Sequence, residues 1–255
     1  MTQATSAATT ASIDPREVDF YTGLADTWWD RQGPFWPLHR LNELRVQWIR
    51  DRLVEHFGRS PAAAAPLAGL RVLDVGCGGG ILAESMARLG AAVHGIDVVE
   101  KNLAIARLHA ARVGLDIRYE LTTAEDMVAR SERFDVVLNM EVVEHVADFP
   151  GFLRACSGLV RDGGAMFVAT INRTPLSWLF AIVGAEYVLG WLPKGTHRWS
   201  LFRRPQEISE LLERDGMAVQ TETGVRVNPF NRHFSLQRNM AVNFMQFATR
   251  ESQAG

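Results

Sequence analysis

The sequence predicts an α/β fold with a mostly parallel β-sheet and helices on both faces. The first reason is a regular alternation of short apolar segments with amphipathic helical segments. The second is segment 72–80, where a strand containing Asp74 leads into a turn with four glycines in five positions. The third is another strand that ends at Asp97, roughly 20 residues further on. Together these features predict a nucleotide-type cofactor site at the carboxyl ends of the strands.

Two segments of different character precede the predicted core. Residues 1–13 are rich in Ala, Thr and Ser and lack the pattern of a secretory signal, so we expect a disordered leader. Residues 14–58 show helical periodicity interrupted by two prolines, and we expect a helical cover rather than a separate domain. An alanine- and proline-rich connector then leads into a core domain that we expect to span 67–255.

The core elements follow from apolar periodicity and from glycine turns. Five strands are predicted, at 71–75, 92–97, 117–121, 134–140 and 165–171. Helices are predicted at 81–89, 100–113, 149–160 and 205–214. Segments 218–227 and 241–249 are expected to form a final strand pair that closes as a hairpin.

An apolar insertion, 174–202, separates the fifth strand from the helix that follows. Its central run has tryptophan at both ends, contains Glu186 and is too short to span a bilayer. Basic residues Arg173, Lys194 and Arg198 flank this run, as in segments that lie in a membrane interface. Two interpretations stay open: a membrane-interface segment, and an extra core helix or active-site lid.

The residues around the glycines discriminate between two classes of cofactor. Dinucleotide dehydrogenases carry a similar turn, but the carboxylate of Asp74 would repel a pyrophosphate. S-adenosylmethionine (SAM) has no phosphate, and its ammonium and sulfonium cations favour an acidic neighbour. Asp97 stands where such folds bind ribose hydroxyls. Both features resemble motifs I and II of the class I SAM-dependent methyltransferases, which implies a Rossmann-like sheet of seven strands with an antiparallel last strand.

Composition excludes several other classes of function. The formal net charge of −2 does not favour nucleic acid as a partner. The fourth strand is also not followed by the Asn/Asp-Pro-Pro-aromatic turn with which DNA amino-methyltransferases grip a base. Two cysteines, Cys77 and Cys156, cannot form a disulfide framework and indicate a reducing compartment. We therefore expect a cytoplasmic chain, bound peripherally to the inner face of the cytoplasmic membrane if the insertion contacts lipid.

A cluster of two carboxylates and an imidazole, Glu141, Glu144 and His145, follows the fourth predicted strand. On a helical turn these positions share one face, so the three side chains could converge. They could then hold Mg²⁺, or His145 could act as a general base oriented by a glutamate. A phenol has a pKa of about 10 and needs one of these devices to lose its proton at neutral pH. The cluster therefore predicts methyl transfer to a phenol-type oxygen.

Longer stretches of the chain resemble one family, the bacterial ubiquinone biosynthesis O-methyltransferases. The similarity runs from about residue 19 to the end, and its most distinctive parts lie in the N-terminal cover and in the insertion. The matching segments are 28–30, 37–45, 73–86, 140–145, 172–173, 177–179, 183–187 and 193–197.

The resemblance implies O-methylation of a polyprenyl catechol and of a demethylated ubiquinol at a membrane lipid surface. Other ubiquinone-biosynthesis enzymes are the expected protein partners. The predicted SAM-binding residues, by motif or by position in the family, are Arg45, Asp74, Gly76, Gly78, Asp97, Asp126 and Met140. Among them, Arg45 is expected to pair with the methionyl carboxylate and Asp126 to meet the adenine amino group. Glu141, Glu144 and His145 match the family's metal or acid–base cluster.

The sequence leaves two alternative functions open. One is a SAM-dependent methyltransferase acting on another small aromatic or quinone acceptor, including methylation at carbon. The other is a non-catalytic scaffold that binds SAM or lipid, against which the intact glycine turn and the polar cluster both argue.

Overall fold

A computed structural model describes residues 13–179, 199–228 and 231–252 of the chain. The predicted leader, apart from Ile13, and the central part of the predicted insertion lie outside the described residues. Within the described ranges, no helix is both long enough and apolar enough to cross a membrane.

The described residues form one sheet of eight strands in the order β3-β2-β1-β4-β5-β8-β6-β7. The strands are β1 (Arg71–Val75), β2 (Ala92–Asp97), β3 (Arg118–Leu121), β4 (Phe134–Met140), β5 (Val160–Ile171), β6 (Met217–Asn228), β7 (His233–Gln237) and β8 (Asn243–Arg250). Strands β1 to β5 pair in parallel, whereas β8 is antiparallel to both β5 and β6.

Helices connect the parallel strands and cover the sheet. They are α1 (Pro15–Leu24), α2 (Trp36–His56), α3 (Ile81–Arg88), α4 (Glu100–Arg112), α5 (Ala124–Ala129), α6 (Phe149–Gly158), α7 (Pro175–Ser177) and α8 (Pro205–Arg214). One face of the sheet packs against α2, α3 and α4, and the other packs against α5, α6 and α8. Because side chains alternate along a strand, Val72 belongs to the first core and its neighbour Leu73 to the second.

The prediction of seven strands was wrong by one. Strands β6 and β8 form the predicted antiparallel pair, but β7 lies between them in sequence and pairs with the outer side of β6. β7 is a short edge strand whose residues are all at least partly exposed, so it lacks the apolar alternation that marks a buried strand. Helix α5 was also missing from the predicted elements, since only six residues form it.

The strand register positions the functional site. Val75 of β1 lies opposite Ile96 of β2 and opposite Asn139 of β4. The next residues, Gly76, Asp97 and Met140, therefore fall at the same level on the carboxyl edge of the sheet. In the strand order, β2 and β3 lie on one side of β1, and β4 and β5 lie on the other. Open α/β sheets form their ligand crevices at the carboxyl edge where the strand order reverses in this way.

Candidate active site

The glycine turn after β1 is closed by main-chain hydrogen bonds. The Cys77 N–H donates to the Ile96 carbonyl at 3.0 Å, and the Gly80 N–H donates to the Cys77 carbonyl at 2.9 Å. Gly78 has a φ of +53°, which L residues with side chains rarely adopt. A Cβ atom there would also lie 2.5 Å from the ring of Trp28. Glycine is required at this position by both conformation and space.

The N-terminal cover is bonded directly to this turn. The indole N–H of Trp29 donates to the Gly79 carbonyl at 2.9 Å, and that of Trp28 donates to the Asn102 side chain at 2.8 Å. The Trp29 ring stacks on His109 with centroids 3.4 Å apart. Residues 28–29 thereby connect the cover, the glycine turn and α4.

Asp97, at the end of β2, fixes the turn from the other side. Its carboxylate accepts hydrogen bonds from the N–H groups of Gly78 and Val99, each at 2.8 Å. Burial raises the pKa of Asp97, and these backbone donors oppose that rise. The Asn102 side chain and the Val98 N–H also interact with this carboxylate and oppose the rise.

Asp74 and Arg45 are two buried side chains that interact electrostatically beside the turn. Their exposed fractions are 3% and 5%. Burial raises the pKa of Asp74 to about 7, although the nearby Arg45 guanidinium opposes this shift. Among the described residues, Asp74 Oδ2 and Arg45 Nε have no hydrogen-bond partner. The pair therefore offers one unused acceptor and one unused donor, which suit the ammonium and carboxylate of an amino acid.

Glu141, the first residue after β4, directs its side chain towards α2 of the N-terminal cover. Met140, the last residue of the strand, is 8% exposed and belongs to the core below the crevice. Glu141 follows in the left-handed region with a φ of +62°. Its Oε1 accepts a hydrogen bond from Arg45 Nη2 at 2.8 Å. Arg45, on α2, therefore bridges the cofactor side and the β4 side of the crevice.

The predicted helical turn at Glu141–His145 was wrong. The segment 141–148 is not helical, and its backbone forms a turn in which the His145 N–H donates to the Val142 carbonyl at 2.8 Å. The buried Glu144 carboxylate accepts from the Thr170 hydroxyl of β5 at 2.7 Å. Because Glu141 turns to α2 and Glu144 to β5, the two carboxylates serve different partners. His145 is half-buried at the same strand end.

The same geometry bears on the predicted magnesium site. Within the described part of the chain, no group of three His, Cys, Asp or Glu side chains is arranged to hold a metal ion. The donor types of Glu141, Glu144 and His145 suit Mg²⁺, but their positions do not gather them around one point.

Comparison with known proteins identifies the family. The sequence profile described as "Methyltransferase domain" matches residues 73–168. "Ubiquinone biosynthesis O-methyltransferase" from Sinorhizobium medicae is 52% identical over 94% of this chain and 96% of the relative. The protein of the same name from a Methylobacterium species is 50% identical over 96% of this chain and 98% of the relative. The chain belongs to this family.

Solved structures support the same fold. Magnesium protoporphyrin IX methyltransferase from Synechocystis with bound SAH has a TM-score of 0.67 at 19% identity, covering 93% of this chain and all of that one. A SAM-bound structure of the same enzyme has a TM-score of 0.61 at 16% identity and covers 94% of this chain and 99% of that one. The predicted class I fold is confirmed, and this member of the ubiquinone biosynthesis O-methyltransferase family is a SAM-dependent methyltransferase.

The structure brings most of the predicted cofactor residues of this methyltransferase to one edge of the sheet. The residues at the carboxyl ends of β1, β2 and β4 are Asp74, Gly76, Gly78, Asp97 and Met140, with Arg45 reaching them from α2. Asp126 does not follow β1, β2 or β4; it lies after β3 in the first turn of α5, where the Thr123 hydroxyl accepts a hydrogen bond from its N–H. Its contact with adenine stays a prediction.

Sequence reasoning missed four residues that shape the site. Trp28, Trp29 and Asn102 fix the cover against the glycine turn, and Thr170 anchors Glu144. The tryptophan pair was noticed only as part of the family resemblance. Asn102 and Thr170 carry no local signal, because their partners are 74 and 26 residues away in the chain.

Proposed function

We propose that this enzyme methylates a hydroxyl of a polyprenyl catechol and of the demethylated ubiquinol, with SAM as methyl donor. The substrate class comes from the names of relatives that are 52% and 50% identical over nearly the whole chain. The observation that carries the cofactor assignment is the buried Asp74–Arg45 pair, in which each side chain keeps one unpartnered polar atom.

Four groups would bind the cofactor along the crevice. Asp74 would accept from the methionyl ammonium, and Arg45 would donate to the methionyl carboxylate. Asp97 would accept from the ribose hydroxyls, while Gly76 and Gly78 let the backbone come close. Asp126 would receive the adenine amino group. This order would put the sulfonium near the end of β4.

The chemistry asks little of the protein beyond positioning and one proton transfer. When bound, SAM supplies a methyl group on a sulfonium, which departs as a neutral thioether. We assign His145 as the base that takes the proton of the acceptor hydroxyl as its oxygen bonds to the methyl carbon. Glu144, adjacent in the chain and anchored by the Thr170 hydroxyl, would fix the turn that carries His145.

We assign no step to a metal ion. Glu141 bonds to Arg45 and Glu144 to Thr170, so the two carboxylates are engaged by different parts of the chain. Magnesium binding by Glu141, Glu144 and His145 stays a prediction, and chelation in the activity assay tests it.

The membrane part of the proposal rests on the borders of the insertion. Four apolar side chains there are 41–48% exposed, namely Leu176, Trp178, Leu179 and Trp199. Exposed tryptophan and leucine suit a peripheral contact with the inner face of the cytoplasmic membrane, where a polyprenyl substrate resides. Liposome co-sedimentation of the Trp178→Ala/Leu179→Ala variant tests this contact. Binding equal to that of the parent chain would contradict it. Contacts with other ubiquinone-biosynthesis enzymes remain an expectation.

The central experiment measures methyl transfer from labelled SAM to a short-tailed demethylated ubiquinol. We expect His145→Ala to lower kcat by about 10²-fold or more with little change in the Kd of SAM, because only the proton transfer is lost. His233→Ala, an exposed histidine of β7, is the matched control. Equal rates in wild type and His145→Ala would contradict the assignment of His145 as the base.

Two further readouts in this assay separate the alternatives. Activity that survives complete chelation supports the metal-free base, whereas a loss restored by added Mg²⁺ would show that a cation takes part. Product analysis by NMR distinguishes a new methoxy group from a methyl group on ring carbon. A ring-methylated product would replace the proposed function with carbon methylation.

A further inference from the structure

We infer that Glu141 is an internal stand-in for the carboxylate of SAM, holding Arg45 until cofactor binding releases Glu141 towards the acceptor. This inference deepens the proposed function and rests on its cofactor assignment. It makes Glu141 a positioning residue that couples the cofactor site to the acceptor site.

Arg45 needs an anionic partner in the chain without cofactor. Its side chain is only 6% exposed, and a buried guanidinium without a counter-charge is strongly unfavourable. Glu141 meets that need at 2.8 Å through Nη2, while Nε stays unpartnered among the described residues. A planar guanidinium can bind a carboxylate through two parallel donors, so the present contact uses only part of its capacity.

Glu141 is the carboxylate best placed to move. Its side chain is 25% exposed, in contrast to the almost fully buried Arg45. It also has a φ of +62°, a conformation that costs a non-glycine residue free energy and persists only where other contacts compensate. Glu144, in comparison, is 4% exposed and held by Thr170 from the interior of the sheet.

The balance of charge favours an exchange of partners. Arg45 interacts electrostatically with three carboxylates, those of Glu141, Asp74 and Glu144. SAM would bring one carboxylate for Arg45 together with an ammonium and a sulfonium for the surplus negative charge. Once the methionyl carboxylate occupies Arg45, Glu141 is freed beside His145, and the acceptor site is completed. SAM should therefore bind before the acceptor.

The test is the Kd of SAM, measured by titration calorimetry, in three variants. Glu141→Gln removes the competing charge and should tighten SAM binding about 5-fold or more. Glu141→Asp keeps the charge but shortens the reach to Arg45, and it should tighten binding to a smaller extent. Glu213→Gln removes an exposed glutamate of α8 and should leave the Kd unchanged.

A truncated ligand isolates the competition. Methylthioadenosine has the adenosine and sulfur of SAM but no amino-acid end, so its Kd should not respond to Glu141→Gln. In an Arg45→Met background, Glu141→Gln should likewise have no effect on SAM binding. A change of equal size for both ligands would overturn the inference.

The outcomes separate this inference from the proposed function. Weaker or unchanged SAM binding in both Glu141 variants, with normal thermal unfolding, overturns the stand-in role alone. If Glu141→Gln does not fold, Glu141→Asp decides the matter by the same criterion. Wild-type SAM affinity in Arg45→Met would overturn the assignment of Arg45 to the methionyl carboxylate, whereas the proposed O-methylation fails only if the assay with labelled SAM yields no methoxy product.

Discussion

The two sides of the crevice are organised by different kinds of contact. On the cofactor side, the Asp97 carboxylate accepts two backbone N–H groups, one of them from the glycine turn. On the acceptor side, Glu141 and Glu144 accept from side chains of α2 and β5, at separations of 96 and 26 residues. Main-chain contacts fix the first region, whereas remote side chains orient the second.

This difference indicates which side can respond to a ligand. Backbone donors in a closed turn cannot move independently of the turn. We therefore expect the cofactor side to have this conformation before SAM binds. A side-chain ion pair with one partly exposed member can exchange partners without disturbing the sheet. We therefore expect the loss of Asp97 to lower both stability and SAM affinity. On the acceptor side, Glu141 affects SAM binding through Arg45, whereas variants at Glu144, Thr170 and His145 should act chiefly on turnover.

The largest effect should come from Asp97→Ala. It leaves the buried N–H groups of Gly78 and Val99 without an acceptor, at about 1–3 kcal/mol each, and removes the ribose acceptor as well. We expect the free energy of unfolding to fall by about 2 kcal/mol or more and SAM affinity to fall by about 10²-fold. Denaturant unfolding and titration calorimetry measure the two quantities.

The exposed Asp116→Ala variant is the control for loss of one negative charge. A stable Asp97→Ala protein with normal SAM affinity would contradict the description of the cofactor side as preformed.

A smaller effect, confined to turnover, should follow from Thr170→Val. It removes the hydroxyl that donates a hydrogen bond to the buried Glu144 carboxylate at 2.7 Å. We expect kcat to fall about 10-fold, because the turn that carries His145 loses this anchor to β5, while the Kd of SAM stays within about 2-fold. Thr249→Val, a buried threonine of β8, controls for the loss of a hydroxyl from the sheet. Loss of SAM affinity as large as the loss of kcat would erase the distinction between the two sides.

The same distinction explains what the sequence could predict. β1, β2 and β4 have the predicted bounds, and Asp74, Gly76, Gly78 and Asp97 lie together as expected. Their signals are local, since a strand, an acidic residue and a glycine turn occupy one short segment and the sheet register aligns the rest. The fold and the cofactor side were therefore within reach of the sequence.

The arrangement of the acceptor side could not be predicted from the sequence. The helical spacing of Glu141, Glu144 and His145 predicted convergence, but Glu141 has a left-handed backbone, which breaks the helical face at its first member. No local sequence pattern predicts that conformation for a glutamate, because contacts with distant residues impose it. Arg45 donates to the Glu141 side chain, and the Glu141 N–H donates to the Ala169 carbonyl. β7 was not predicted for the same reason, since it is only partly buried and is positioned by its pairing with β6.

The smallest expected effect is a pH dependence that originates at Asp74. Burial raises the pKa of its carboxyl to about 7 from an ordinary value of 3.8. The folded chain without cofactor therefore holds this proton more tightly than the unfolded chain. The stabilising contribution of the group is complete below about pH 4 and is lost as pH rises through about 7.

SAM binding should show the opposite slope. The methionyl ammonium favours the ionised Asp74, so binding below about pH 7 must expel a proton, and SAM affinity should rise several-fold from about pH 6 to about pH 8. Calorimetry in buffers of different ionisation enthalpy measures the released proton directly. In Asp74→Asn both slopes should flatten, and equal slopes in the two proteins would assign the titration to another group. A general effect of pH on the fold would change folding stability and SAM affinity in the same direction. Titration of Asp74, in contrast, lowers folding stability and raises SAM affinity as the pH rises.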